Sequence, residues 1–167
     1  MNSKNQTSIS KDAANKKILV VRDFHATLEE VWKAWTERDL LDQWWAPKPW
    51  KAVTVSMDCR PGGMWHYYMQ GPDGSRHYSR ADYVSVNTNK AFEALTAFCD
   101  DKGNINREFG QSNWKVQFSE TQAGAKVNVE ITFASVDVLE KFIEMGFKEG
   151  FTMAHSNLDE LLEMQKV

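Results

Sequence analysis

Trp114-Lys115-Val116-Gln117-Phe118-Ser119, a break at Ala123-Gly124, then Val127-Asn128-Val129-Glu130-Ile131-Thr132-Phe133: this stretch decides the fold. Apolar and polar residues alternate in both halves. Successive side chains of a β-strand point to opposite faces, so the pattern describes two antiparallel strands, each with one buried and one wet face. Ser135 follows as a plausible N-cap. Beyond it Leu139, Phe142, Ile143, Phe147, Phe151, Ala154, Leu158, Leu161 and Leu162 recur at spacings of three and four. If continuous, they make one amphipathic helix of roughly 30 residues. A sheet with one apolar face and a helix with one apolar stripe bury them against each other.

Upstream, residues 18–24 read as a first strand, rich in β-branched and apolar side chains. Thr27 and Glu30 have the spacing of a capping box, and Leu28, Val31, Trp32 and Trp35 share a helical face. A second short helix carries Leu40, Leu41, Trp44 and Trp45 and ends before Pro47 and Pro49. Strands follow at 52–57, 64–69, 77–86 and 91–98, separated by Pro61-Gly62-Gly63, Gly71-Pro72-Asp73-Gly74 and Asn87-Thr88-Asn89. Residues 104–113 read as a loop. The expectation is an α+β arrangement. A curved antiparallel sheet of about seven strands carries two short helices and a long C-terminal helix across its concave face. Residues 1–16 read as a disordered polar tail, and residues 17–167 as a single domain.

The 167 residues carry a net charge of −3, with 26% charged and 42% hydrophobic residues, as in ordinary globular chains. No basic stripe of the kind a nucleic-acid binder needs is present. No apolar run approaches the ~20 residues of a membrane span. Two cysteines, Cys59 and Cys99, form no C-x-x-C pair, so neither a disulfide framework nor a cysteine metal site is expected. The N-terminus lacks the apolar core of a secretion signal, and the cytoplasm is the expected location. No metal and no cofactor are expected, because hydrolase, zincin, nucleotide-loop and dinucleotide motifs are all missing.

Seven Trp, nine Phe and four Tyr stand out. Such rings fill a core or line a pocket for a flat apolar ligand. Trp44, Trp45, Trp65, Tyr67, Phe92 and Trp114 concentrate on the presumed concave side. Gly146 and Gly150, with Phe147 and Phe151 beside them, lie in the final helix, where a glycine costs ~1 kcal/mol relative to alanine. Close helix packing or room for a ligand would each account for that. The polar candidates are His66, His77, Tyr78, Tyr83, Glu93 and His155. Glu93, between Phe92 and Ala94, is either a solvent-facing side chain or an inward acid or base.

Six segments, in order, resemble one superfamily. They are residues 26–36; Leu41-x-x-Trp44-Trp45-Ala46-Pro47; Arg60-Pro61-Gly62-Gly63-Met64-Trp65; Gly71-Pro72-Asp73-Gly74; Phe98-x-Asp100-x-x-Gly103; and residues 145–151. Together they are similar to the SRPBCC (START-like, birch-pollen-allergen-like) superfamily, in the branch named after the activator of the heat-shock protein 90 ATPase. The resemblance covers residues 17–163. It implies a helix-grip fold with a deep hydrophobic cavity. Matching positions Trp44, Trp45, Trp65, Tyr67, Gly146 and Gly150 would line it. No shared catalytic residues carry over.

The leading expectation is a non-enzymatic binder of a small hydrophobic or aromatic molecule. Its ligand-binding set is Trp44, Trp45, Trp65, Tyr67, Tyr83, Phe92, Glu93, Trp114, Gly146, Phe147, Gly150 and Phe151. The alternatives are a cyclase- or hydrolase-type enzyme on an apolar substrate, using Glu93 or Tyr83, and a chaperone-accessory interaction module. The sequence leaves a homodimer through a sheet edge open.

Overall fold

The structure is a computed structural model and describes residues 7–165. One antiparallel sheet holds all the strands. In chain order they are β1 (Ser8–Asp12), β2 (Lys17–Phe24), β3 (Lys51–Met57), β4 (Met64–Gln70), β5 (Arg76–Asn87), β6 (Ala91–Cys99), β7 (Ser112–Glu120) and β8 (Ala125–Thr132). In space they run β1-β2-β8-β7-β6-β5-β4-β3. Between β2 and β3 come α1 (Leu28–Thr36) and α2 (Arg38–Trp44). After β8 come α3 (Val136–Glu144) and α4 (Phe147–Gln165). The helix-grip expectation is met, with eight strands in place of about seven.

The extra strand is β1. It pairs with β2 from Ser8↔Val21 to Asp12↔Lys17, through a helical turn at Ala13–Asn15 and a left-handed Lys16. Its sequence, Ser-Ile-Ser-Lys-Asp, has a single apolar side chain, which is why it reads as part of a tail. A short, polar outer strand is what a sheet edge favours. The rest of the expected tail, residues 1–6, lies outside the described residues.

The alternation in β7 and β8 holds. Ala125, Val127, Val129 and Ile131 are buried while their neighbours reach the surface. α1 begins as expected: Thr27 Oγ1 accepts from the Glu30 amide at 3.1 Å, and Glu30 Oε1 accepts from the Thr27 amide at 2.9 Å. α1 buries Val31, Trp32, Ala34 and Trp35. The Trp44 indole donates to the Ala34 carbonyl at 2.8 Å, fixing α2 against the last turn of α1. Asn157 of α4 donates to the Ala46 carbonyl at 3.0 Å and ties the long helix to the end of α2.

The long C-terminal helix is present as α4, but the apolar stripe from Leu139 to Leu162 is not continuous: a separate helix, α3, precedes it. Gly146 adopts φ +93, a left-handed conformation that only glycine takes without strain. Its amide bonds the Ile143 carbonyl at 3.0 Å, closing α3, and its own carbonyl accepts from Gly150 at 2.8 Å, opening α4. Gly146 is therefore the joint between helices and not an interior helical position.

Shifts of register at Thr54/Ser56 and Tyr83/Ser85 interrupt the β3–β4 and β5–β6 ladders and increase strand twist, and the β3–β4 pair lies at one edge of the sheet. β3 is the outermost strand there. Arg38 of α2 donates to its Thr54 carbonyl at 3.1 Å.

Candidate ligand-binding cavity

The concave face carries two kinds of side chain. Along the inward positions of β5, β6 and β7 stand small residues: Ser79, Ala81, Ala94, Thr96 and Ser112. The ladders set them side by side, with Ala81 opposite Thr96 and Thr96 opposite Ser112. Around this trough stand large rings. Trp65 and Tyr67 flank it on β4, Tyr83 lies two positions along β5, and Trp114 lies opposite Ala94 on β7. Phe147 and Phe151 of α4 and Trp45 at the end of α2 close the opposite side. The rings touch one another at the margins, Trp45 lying 5.5 Å from Trp65 and 5.8 Å from Phe151 between centroids, while the small side chains below leave the space over the floor unfilled. The result is a cavity of about 320 Å³, within the range of small-molecule pockets.

Trp45, Trp65, Tyr67, Tyr83, Phe92, Trp114, Gly146, Phe147, Gly150 and Phe151 all line it. Two expected residues do not. Trp44 is fully buried behind Trp45, against Trp35 and His155. Consecutive helical residues point about 100° apart, so only one of the two tryptophans can face the cavity. Glu93 faces the other side of the sheet. It sits between Ser85 and Lys115, and its carboxylate accepts from Asn113 Nδ2 at 2.8 Å. With Phe92 and Ala94 inward, strand parity forces this.

The small residues of the trough were missing from the expected set. Their signal is the alternation of Ser79, Ala81 and Tyr83, and of Ala94 and Thr96, at inward positions too small to fill a core.

The polar groups on the lining are organised before any ligand arrives. The Trp45 indole donates to the Tyr67 hydroxyl at 3.0 Å. Trp65 stacks on Tyr67, with centroids 4.0 Å apart and planes 22° from parallel. The Trp65 indole donates to Thr54 Oγ1 at 3.0 Å, and Thr54 donates to Asp42 Oδ1 at 2.7 Å. Burial raises the Tyr67 phenol above its usual range, against the opposing Trp45 hydrogen bond. Burial also raises Tyr83, and Cys59 beside it adds to the effect. Both phenols are neutral at physiological pH. Of the two acid–base candidates, Glu93 lies outside the cavity and Tyr83 holds its proton firmly.

The remaining histidines divide. His77 lines the rim, 5.3 Å from the Trp50 ring. His66 and Tyr78 face the other side of the sheet, where His66 Nε2 meets the Asp100 carbonyl at 3.2 Å. His155 lies beneath the cavity, fully buried, with the Phe151 ring 4.2 Å away. Its Nδ1 bonds Thr7 Oγ1 at 2.8 Å. Thr7 accepts from Arg22 Nε at 3.0 Å, and Arg22 also grips Asp159 at 2.6 Å. Burial, and secondarily the Arg22 charge, lowers the His155 pKa to about 3. Arg22, inside an apolar strand sequence, is itself only 3% exposed. Among the described residues no cluster of His, Cys, Asp and Glu is placed to hold a metal, and no helix is long and apolar enough to cross a membrane.

The family described as Activator of Hsp90 ATPase homolog 1-like protein matches residues 25–163. This chain belongs to that family. The membership agrees with the resemblance in the sequence and with the helix-grip architecture. Solved structures of similar chains share the fold over nearly their full length. Protein Ms6760 from Mycobacterium smegmatis is 28% identical, covers 94% of this chain and 96% of its own, and superposes with a TM-score of 0.87. A protein from Arthrobacter aurescens is 27% identical, covers 94% and 91%, and has a TM-score of 0.88. A protein from Staphylococcus epidermidis is 27% identical, covers 96% and 95%, and has a TM-score of 0.83. No curated protein matches the chain.

Proposed function

We propose that this member of the family binds a small hydrophobic or aromatic molecule in the cavity between sheet and helices, without chemistry on it. The observation that carries the reading is the trough of small residues walled by rings. Filling that floor with larger apolar side chains would bury more surface at ~0.8 kcal/mol per methylene, yet five adjacent inward positions stay small. The lining offers rings for stacking and a few neutral hydroxyls for orientation, the make-up of a small-molecule pocket.

Titration with Nile red, an uncharged dye whose emission rises in apolar surroundings, tests the reading. Saturable one-to-one binding with quenching of tryptophan fluorescence is expected. A folded protein that gives no saturable response to Nile red, nor to fluorene, would refute it.

A further inference from the structure

Resting on that reading, we propose that the cavity selects an uncharged ligand and holds it by a carbonyl-type oxygen at Tyr67 and Ser79. Two independent features of the lining lead there.

The first is charge. Among the described residues none that lines the cavity is Asp, Glu, Lys or Arg, and the one imidazole there, His77, stands at the exposed rim. An anionic headgroup drawn inside would lose its water and meet no cation. An uncompensated buried charge is far more costly than a buried neutral group. The buried guanidinium of Arg22 is already committed to Asp159 and Thr7, and that of Arg80, between Ser79 and Ala81 in β5, is held by Asp82.

The second is the direction of the hydrogen bonds. An indole N–H only donates. Trp45 donates to Tyr67, so the Tyr67 oxygen is an acceptor there and its own proton points elsewhere. Ser79 lies directly opposite Tyr67 in the ladder, on the same inward face. Stacking on Trp65, itself anchored through Thr54 to Asp42, holds the phenol ring in place. The Ser79 hydroxyl is a hydrogen-bond partner of Tyr67, and with three protons shared over two links the row keeps one hydroxyl proton free to donate. The facing wall of Phe147 and Phe151 has no polar side-chain atom. A flat molecule between the two walls completes the row with an acceptor on one edge and hydrocarbon on the other.

A matched set of three rigid probes tests this on the full-length protein by calorimetry at pH 7: fluorene, 9-fluorenone and fluorene-9-carboxylate. The carboxylate is expected to bind at least about 100-fold more weakly than fluorene, given the cost of an unpaired buried charge. Tyr67→Phe and Ser79→Ala, made separately, are expected to weaken fluorenone binding by about three- to tenfold more than they change fluorene binding, the range of a neutral hydrogen bond. The fluorene titration shows in each variant that the cavity persists. Carboxylate binding equal to that of fluorene, or an unchanged ratio of fluorenone to fluorene affinity in both variants, would overturn the inference and leave the binding reading standing. Failure of all three probes on the wild type would remove both.

Discussion

Ala81→Leu puts the proposed trough to its most direct test. Ala81 sits on the cavity floor, 7% exposed, with Trp65 and Thr96 on either side of it in the ladder. Leucine adds three carbons. If they enter empty space, their burial contributes about 2.4 kcal/mol at ~0.8 kcal/mol per carbon. Ordering the leucine rotamer costs about 0.5–1 kcal/mol of that. The net gain of roughly 1.5 kcal/mol corresponds, for a chain of this size, to a rise in Tm of about 3–6 °C. The same carbons occupy the place of a ligand, so Nile red affinity falls at least tenfold. The assay is a thermal melt followed by circular dichroism, paired with the dye titration. Stability and binding must move in opposite directions. A drop in Tm with unchanged dye affinity would mean that Ala81 faces packed neighbours, because overpacking costs about 1–3 kcal/mol. The trough would then hold no empty space for a ligand.

Two further outcomes follow from the helices. Gly146→Ala meets no steric obstacle, since the nearest atom to the new methyl is Glu149 Oε1 at 4.0 Å. The φ of +93 nevertheless makes it destabilising, by about 1–2 kcal/mol in urea unfolding; a neutral result would show that the α3–α4 joint relaxes freely. His155 titrates near pH 3 in the folded state and near 6.5 when unfolded. Between those values the unfolded chain binds the extra proton, so stability falls as pH drops below 6.5. From pH 6.5 to 5 the loss is about 1.7 kcal/mol, the slope approaching about 1.36 kcal/mol per unit only well below 6.5. His155→Gln should flatten that slope in urea midpoints measured across the range, and an unchanged slope would place the titrating group elsewhere.

Much of the architecture was legible because strand and helix periods are local. The alternation from Trp114 to Phe133 fixed two strands and their faces, and Thr27 with Glu30 fixed the start of a helix. What escaped was whatever depends on a neighbour distant in sequence. β1 has one apolar residue and is a strand only because β2 offers it a partner. Gly146 and Gly150 sit at helical spacing, and only the φ of Gly146 shows that the helix breaks. Trp44 and Trp45 are adjacent and chemically alike, and the packing of α2 against α1 and α4 decides which one faces the cavity. The large rings mark the walls of the cavity in the sequence. The space itself comes from Ser79, Ala81, Ala94, Thr96 and Ser112, whose significance lies in what they leave unfilled. Arg22, Thr7 and His155 form a buried chain that links residues up to 148 positions apart, beyond any pattern in a window of sequence.

The contact between Arg38 and the rim of the sheet reaches beyond this molecule's own stability. Val53 and Val55 on β3 are 37% and 47% exposed, and a bare apolar border strand invites other chains to add on in fibril-like stacks. A newcomer would have to displace the guanidinium to reach the Thr54 oxygen, and would meet a kinked border at the Thr54/Ser56 irregularity. α2 thus serves as a bumper as well as a wall, discouraging self-templating growth.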